Sequence, residues 1–135
     1  MSENSGRWIL LIVDDDQQLR QTVERSAKLE LGDLGLDILT ACSGQDGIDQ
    51  LRKKGLESGD EVFVLSDFDM LGMTGLEFLV GLPIIFPDVR FGRMIFSGGS
   101  DHNRRSTERA GCWFIEKPFS ITELFLHIHT FFGRK

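Results

Sequence analysis

The sequence predicts an α/β domain: a doubly wound, five-stranded parallel sheet with helices on both faces. Three observations lead there. Strand-like and helix-like stretches alternate about five times along the 135 residues, the pattern of a parallel sheet whose crossovers are helices. The strand-like stretches are short continuous apolar runs, as in "WILLIV" from Trp8 to Val13, which is how strands read when both faces are covered. Two of those runs, "WILLIVDDD" and "VFVLSDFDM", end abruptly in carboxylates. In open sheets of this kind, functional groups gather beyond the carboxyl ends of the strands.

The elements follow in order. Residues 8–13 are the first strand. From residue 17 to about 31, Leu19, Val23, Ala27 and Leu31 recur at every fourth position and predict a helix, with Asp16 as its N-terminal cap. Residues 36–41 are the second strand. Ser43 caps a helix carrying Ile48 and Leu51, and Gly55 stops it. The polar run "LESGDE" leads to the third strand, 62–66, and "DFDMLGMTG" after it reads as a functional loop. The next helix starts about Gly75, and Pro83 either kinks it or ends it at Leu82. "FPDV" marks a turn before the fourth strand, 93–97, and Gly98-Gly99-Ser100 is a loop. Asp101 caps a short helix closed by Gly111, and residues 112–116 are the fifth strand, broken by Lys117-Pro118. Ser120-Ile121-Thr122-Glu123 is a capping box for a last helix ending near Gly133. No repeat or linker divides the chain, so residues 1–135 read as one domain, structured over about 7–133, without an output domain.

Bulk properties narrow the function classes. The length supports a hydrophobic core without disulfide staples. A formal net charge of -6 argues against nucleic acid or an anionic membrane as the main partner, and Arg104, Arg105 and Arg109 read as a solvated helix face. Cys42 and Cys112 have no metal or redox spacing and read as reduced, buried thiols. The N-terminal "MSENSGR" lacks the layout of a signal peptide. No apolar run approaches the roughly 20 residues of a membrane helix, so the expected location is the cytoplasm.

For a domain of this length the expected strand order is 2-1-3-4-5, a flavodoxin-like three-layer sandwich, which makes the first and third strands neighbours. Asp14, Asp15 and Asp16 just past one strand then meet Asp67 and Asp69 past the other. Asp16 is accounted for as a helix cap, but the remaining acids are expensive together. Two unit charges ~4 Å apart repel by about 4 kcal/mol at an effective dielectric of 20. Protonation of one carboxylate, a nearby protein cation or a bound divalent metal would offset this. Lys117, after the fifth strand, supplies a cation, and an oxygen-rich cluster without His or Cys suits Mg²⁺, with Mn²⁺ as substitute. Ser97 ends the fourth strand beside glycines, with its hydroxyl free for the same crevice. Acids, metal, hydroxyl and lysine together suit a phosphoryl group, with one Asp as nucleophile.

"IVDDD…LR", "VFVLSDFDMLGMTGLEFL", "MIFSGGSD" and "FIEKPFS" occur in an order and spacing that resembles the receiver domains of two-component response regulators, over nearly the whole chain. The resemblance implies Asp67 as phosphoacceptor and Asp14 and Asp15 as the acidic pair that holds Mg²⁺. Asp69 falls where the family uses a backbone carbonyl as a metal ligand. Ser97 matches the hydroxyl residue that follows phosphorylation, Lys117 the lysine that pairs with phosphoryl oxygens, and Phe114 the aromatic switch. Leu71 stands where the family usually has Pro, and Gly98 where Ala is commoner. The implied partners are a sensor histidine kinase or histidine phosphotransfer protein and a downstream protein target. The likeness also allows a phosphorylation-dependent homodimer.

Two other function classes compete. "DFD" is similar to the Asp-x-Asp of haloacid-dehalogenase-type phosphohydrolases, with Asp67 as nucleophile and Asp69 as general acid/base, but that leaves Asp14 and Asp15 unexplained. The other is an interaction module of the same fold that is never phosphorylated. His127 and His129 lie two apart on a helix, diverge, and cannot share a metal. Phe119, Phe125, Phe131 and Phe132 read as packing residues.

Overall fold

The computed structural model describes residues 6–98, 101–118 and 120–133. Its elements are β1 (Trp8–Val13), α1 (Gln17–Glu30), β2 (Asp37–Ala41), α2 (Gly44–Lys54), β3 (Glu61–Asp67), α3 (Gly75–Ile85), β4 (Arg90–Ser97), α4 (Asp101–Arg109), β5 (Trp113–Glu116) and α5 (Ile121–Phe132). A 3-10 turn, Gly32–Leu34, precedes β2. All neighbouring strands pair in parallel in the order β2-β1-β3-β4-β5, as the sequence predicts.

The apolar strands explain the three layers. Side chains alternate across a strand, so Leu10 and Ile12 enter one core with Phe63, Leu65, Met94 and Phe96 against α1 and α5. Ile9, Leu11 and Val13 enter the other with Val62, Val64 and Ile95 against α2 and α3. Ile9 to Val13 are all fully buried, each stabilising by roughly 1.5–3 kcal/mol. The run is continuous because both faces are covered.

Polar residues set the helix starts. Asp16 accepts from Gln18 N and Leu19 N, and Ser43 from Asp46 N. Ser120 Oγ accepts from Glu123 N at 3.4 Å. Thr74 and Glu77 form a reciprocal capping box that fixes the start of α3. Gly55 ends α2 in the left-handed region at φ 67°, as expected of a stopping glycine.

Some expectations shift. Of the two outcomes open at Pro83 the helix does not end at Leu82: α3 runs on to Ile85. Pro83 has no N–H to give the Leu79 carbonyl, and Arg93 Nη1 donates to that oxygen instead, at 3.1 Å. β4 begins at Arg90, three residues earlier than expected, because Glu61 pairs with Arg90 in register and their side chains meet at 3.2 Å. Cys42 is exposed, contrary to the expected burial, because it lies just past the end of β2; Cys112 is buried, and both thiols are free. The helix after β4 does start at Asp101, but that side chain, Ser100 and Phe119 lie outside what is described. No helix among the described residues is long and apolar enough to cross a membrane.

Candidate functional site

Register places the acids. Val13 pairs with Ser66, so β1 and β3 end level and deliver Asp14 and Asp67 side by side. Asp14, Asp15 and Asp67 each offer a carboxylate oxygen, and these oxygens lie within 4.8 Å of one another. Asp14 is buried, Asp67 is 9% exposed, and Asp15 faces solvent. The side chain of Asp69 is exposed and outside this cluster, so an Asp-x-Asp catalytic pair gains no geometric support.

The lysine arrives from the far strand. Lys117 Nζ lies 3.4 Å from Asp67 Oδ1 and 3.9 Å from Asp14 Oδ2. The Lys117 N–H donates to Ser97 O at 2.7 Å, and its ammonium sits 4.6 Å from the centroid of the Phe96 ring. The Lys117–Pro118 bond is cis. Ser97 is 2% exposed, and its Oγ accepts from Asn103 Nδ2 of α4 at 3.4 Å.

Electrostatics here are unbalanced. Burial raises the Asp14 pKa to about 6, opposed by the hydrogen bond from Asp16 N and helped by the nearby charge of Asp67. Asp14 Oδ1 takes that bond at 2.7 Å, while Asp14 Oδ2 is buried with no hydrogen-bond partner. Burial also raises the Asp67 pKa, opposed by Lys117. Among the described residues Lys117 pairs with Asp67 and Asp14, and the buried Asp14 Oδ2 accepts no hydrogen bond. An all-oxygen donor set of this shape fits a hard divalent cation.

Several residues outside the acidic cluster support it. Arg20 Nη1 donates to Asp14 O at 2.6 Å and steadies the end of β1. Gly75 N donates to Phe68 O at 2.8 Å, and a Cβ on Gly75 would stand 1.9 Å from Asp67 O. That close approach requires glycine. Arg104, expected on a solvated face, places its guanidinium 4.5 Å from the centroid of the Phe114 ring and 3.5 Å from Glu116. Phe114 is 9% exposed and points into the α2–α3 core. The sequence offered a hint only for Thr74 and Glu77, whose T-x-x-E spacing is a capping signal.

No family model matches the chain. Solved structures do. An uncharacterized protein from Neptuniibacter caesariensis superposes with a TM-score of 0.75 at 24% identity, covering 96% of this chain and 90% of that one. A response regulator receiver domain from Clostridium thermocellum gives 0.71 at 22%, covering 93% and 94%. This chain has the receiver fold. The Vibrio cholerae chemotaxis response regulator CheY4 shares it, with a TM-score of 0.66 at 23% identity over 91% and 97%. At such identities the likeness is one of architecture. On this receiver fold, Asp14, Asp15, Asp67, Ser97 and Lys117 all stand at the carboxyl edge of the sheet, each at or just past a strand end.

Proposed function

We propose that the chain is a phosphoryl-accepting signalling domain with Asp67 as acceptor. The observation that carries this reading is the convergence of three carboxylates within 4.8 Å, with the Lys117 ammonium 3.4 Å from Asp67. Asp14, Asp15 and Asp67 would hold Mg²⁺, or Mn²⁺ in its place, with the Asp69 backbone carbonyl as a further donor. When bound, the ion neutralises the acids and the oxygens of an incoming phosphoryl group.

The chain's own residues account for the rest. An Asp67 oxygen attacks phosphorus and forms an O–P bond while the P–N bond of a donor phosphohistidine breaks. The electron pair leaves with the imidazole nitrogen, and the product is an acyl phosphate. Lys117 offers its charge to the phosphoryl oxygens. Ser97 Oγ accepts from Asn103 and keeps its own proton to donate. Its movement toward the phosphoryl group, followed by Phe114, relays the change to the surface formed by α4, β5 and α5. The partners on this reading are a sensor histidine kinase or histidine phosphotransfer protein and a downstream protein target.

Incubation with acetyl phosphate and Mg²⁺ tests the proposal by intact mass. One phosphoryl adduct is expected, absent in Asp67→Ala and without Mg²⁺. An adduct that survives Asp67→Ala overturns the assignment, and multiple-turnover phosphomonoester hydrolysis lost in Asp69→Asn would establish the phosphohydrolase reading instead.

A further inference from the structure

α3 is apolar on nearly every side. Phe78, Leu79 and Leu82 are buried, yet Val80 is 42%, Ile85 37% and Ile84 78% exposed. Surface helices ordinarily turn a polar face outward, and a helix hydrophobic all round is ordinarily covered. Between Met70 and Pro87 the only charged residue is Glu77. Val80 and Ile84, four apart, form one ridge along the outer side.

α2 lies beside it. Gly44 and Gly47 of α2 pack closely against Met73 and Phe78. Both helices return from the carboxyl edge of a parallel sheet, so they run in the same direction. Their charges are sorted by end. Asp46 and Glu77 lie in the first turns and Asp49 at the middle of α2, whereas Arg52, Lys53 and Lys54 close α2. Lys54 is paired with Asp37 at 2.9 Å; Arg52 and Lys53 are exposed and form no salt bridge among the described residues.

We propose that the α2–α3 face is a homodimer interface, occupied by a second copy of this chain lying antiparallel across a two-fold axis. A chain of net charge -6 repels its own copy over most contacts. This face is an exception, because one surface patch serves both sides of a two-fold. Antiparallel docking sets Val80 of each copy against Ile84 of the other. It also brings the Glu77 end of each toward the Arg52 and Lys53 end of its partner, whereas parallel docking would set acid on acid. A Cβ at Gly81 would meet nothing within 4 Å, so the ridge of the partner has room to approach. α3 alone is about 16 Å long, too narrow for the ~800 Å² per side of a stable interface, which is why α2 belongs to it. This dimer is independent of phosphorylation and of the reading of Asp67.

Sedimentation equilibrium of the unphosphorylated chain tests it. A monomer–dimer equilibrium is expected, weakened at least tenfold in Ile84→Lys and weakened by added salt. The Ile84→Lys change leaves the melting temperature of the monomer intact, since Ile84 is 78% exposed. In a Cys42→Ser background, Gly81→Cys should oxidise to a disulfide-linked dimer, while Leu29→Cys, on the exposed side of α1, should not. A chain monomeric at every concentration overturns the proposal. So does a dimer unaffected by Ile84→Lys that crosslinks equally through Leu29→Cys.

Discussion

Lys117 Nζ stands 3.4 Å from Asp67 Oδ1, although fifty residues separate them in the chain. The contact exists because β3 and β5 both end at the same edge of the sheet. It sets a specific expectation. Lys117→Met removes the only protein cation in contact with Asp67 among the described residues and, on the proposed reading, the donor to an incoming phosphoryl oxygen. Acyl phosphate formation should slow about 100-fold, the usual cost of one preorganised donor. Mg²⁺ binding should be retained or tightened, because a competing positive charge is gone. Time-resolved intact mass and Mg²⁺-dependent melting separate the two effects.

Asp14 gives a pH dependence of defined sign. Its folded pKa of about 6 lies above the ordinary value of 3.8, chiefly through burial. The folded state therefore holds this proton more tightly than the unfolded chain, and ionisation costs stability. Without metal, that cost is absent below about pH 4 and complete above about pH 6, reaching about 3 kcal/mol. Asp14→Asn should accordingly melt roughly 10 °C higher than the wild type at pH 7, with the gap closing by pH 4. Mg²⁺ should raise the melting temperature of the wild type and leave Asp14→Asn nearly unchanged. A constant gap across the pH range would contradict this account.

The carboxylates, Ser97 and Lys117 were legible in the sequence because a strand end fixes where a residue goes. Once an apolar run closes on Asp14, Asp67 or Ser97, topology alone carries those residues to one edge. The strand order followed from the same alternation. Contacts made across elements left no such trace. Nothing in "LPII" says that Arg93 will replace the N–H that Pro83 lacks at Leu79, so the end of α3 stayed open. Asn103 and Arg104 sit in a helix with almost no apolar residues, which reads as solvated until Ser97 and Phe114 are found beneath it. Cys42 looked buried because small thiols usually are, but burial depends on what the chain does after Ala41.

Gly75 gives a steric test. A Cβ there would fall 1.9 Å from Asp67 O and 2.9 Å from Ser66 Oγ, both fixed by the end of β3. Backbone cannot yield as a flexible side chain does, so α3 or the Asp67 loop must move. Gly75→Ala should cost about 1–3 kcal/mol, in the range of overpacking changes. It should also weaken Mg²⁺ binding although it touches no ligand atom. Gly81→Ala, where a Cβ meets nothing within 4 Å, is the matched control and should be neutral or slightly stabilising as a monomer. Urea denaturation and Mg²⁺ titration of both variants provide the measurement.

Asp60 tests stability at the opposite edge of the sheet, away from the acids. It is 3% exposed and accepts from Arg7 N at 2.8 Å, Arg7 Nε at 3.3 Å, Arg7 Nη2 at 2.7 Å and Glu57 N at 2.8 Å. Burial alone would raise its pKa, but the hydrogen bonds from Arg7 and Glu57 outweigh it and hold the carboxyl below its ordinary 3.8. The sign is therefore opposite to that of Asp14. The unfolded chain binds this proton more readily, so the stabilisation is complete above about pH 4 and lost as pH falls through the folded value. Asp60→Ala leaves the Arg7 guanidinium and two backbone N–H groups without their acceptor and should cost about 3 kcal/mol at pH 7, the lower end for a broken buried pair because Arg7 keeps access to water. Asp60→Asn should lose less, and its deficit against the wild type should shrink in acid. Urea denaturation from pH 7 to pH 3 measures both. A deficit for Asp60→Asn that is unchanged at pH 3 would show that shape, not charge, ties Arg7 to the start of β3.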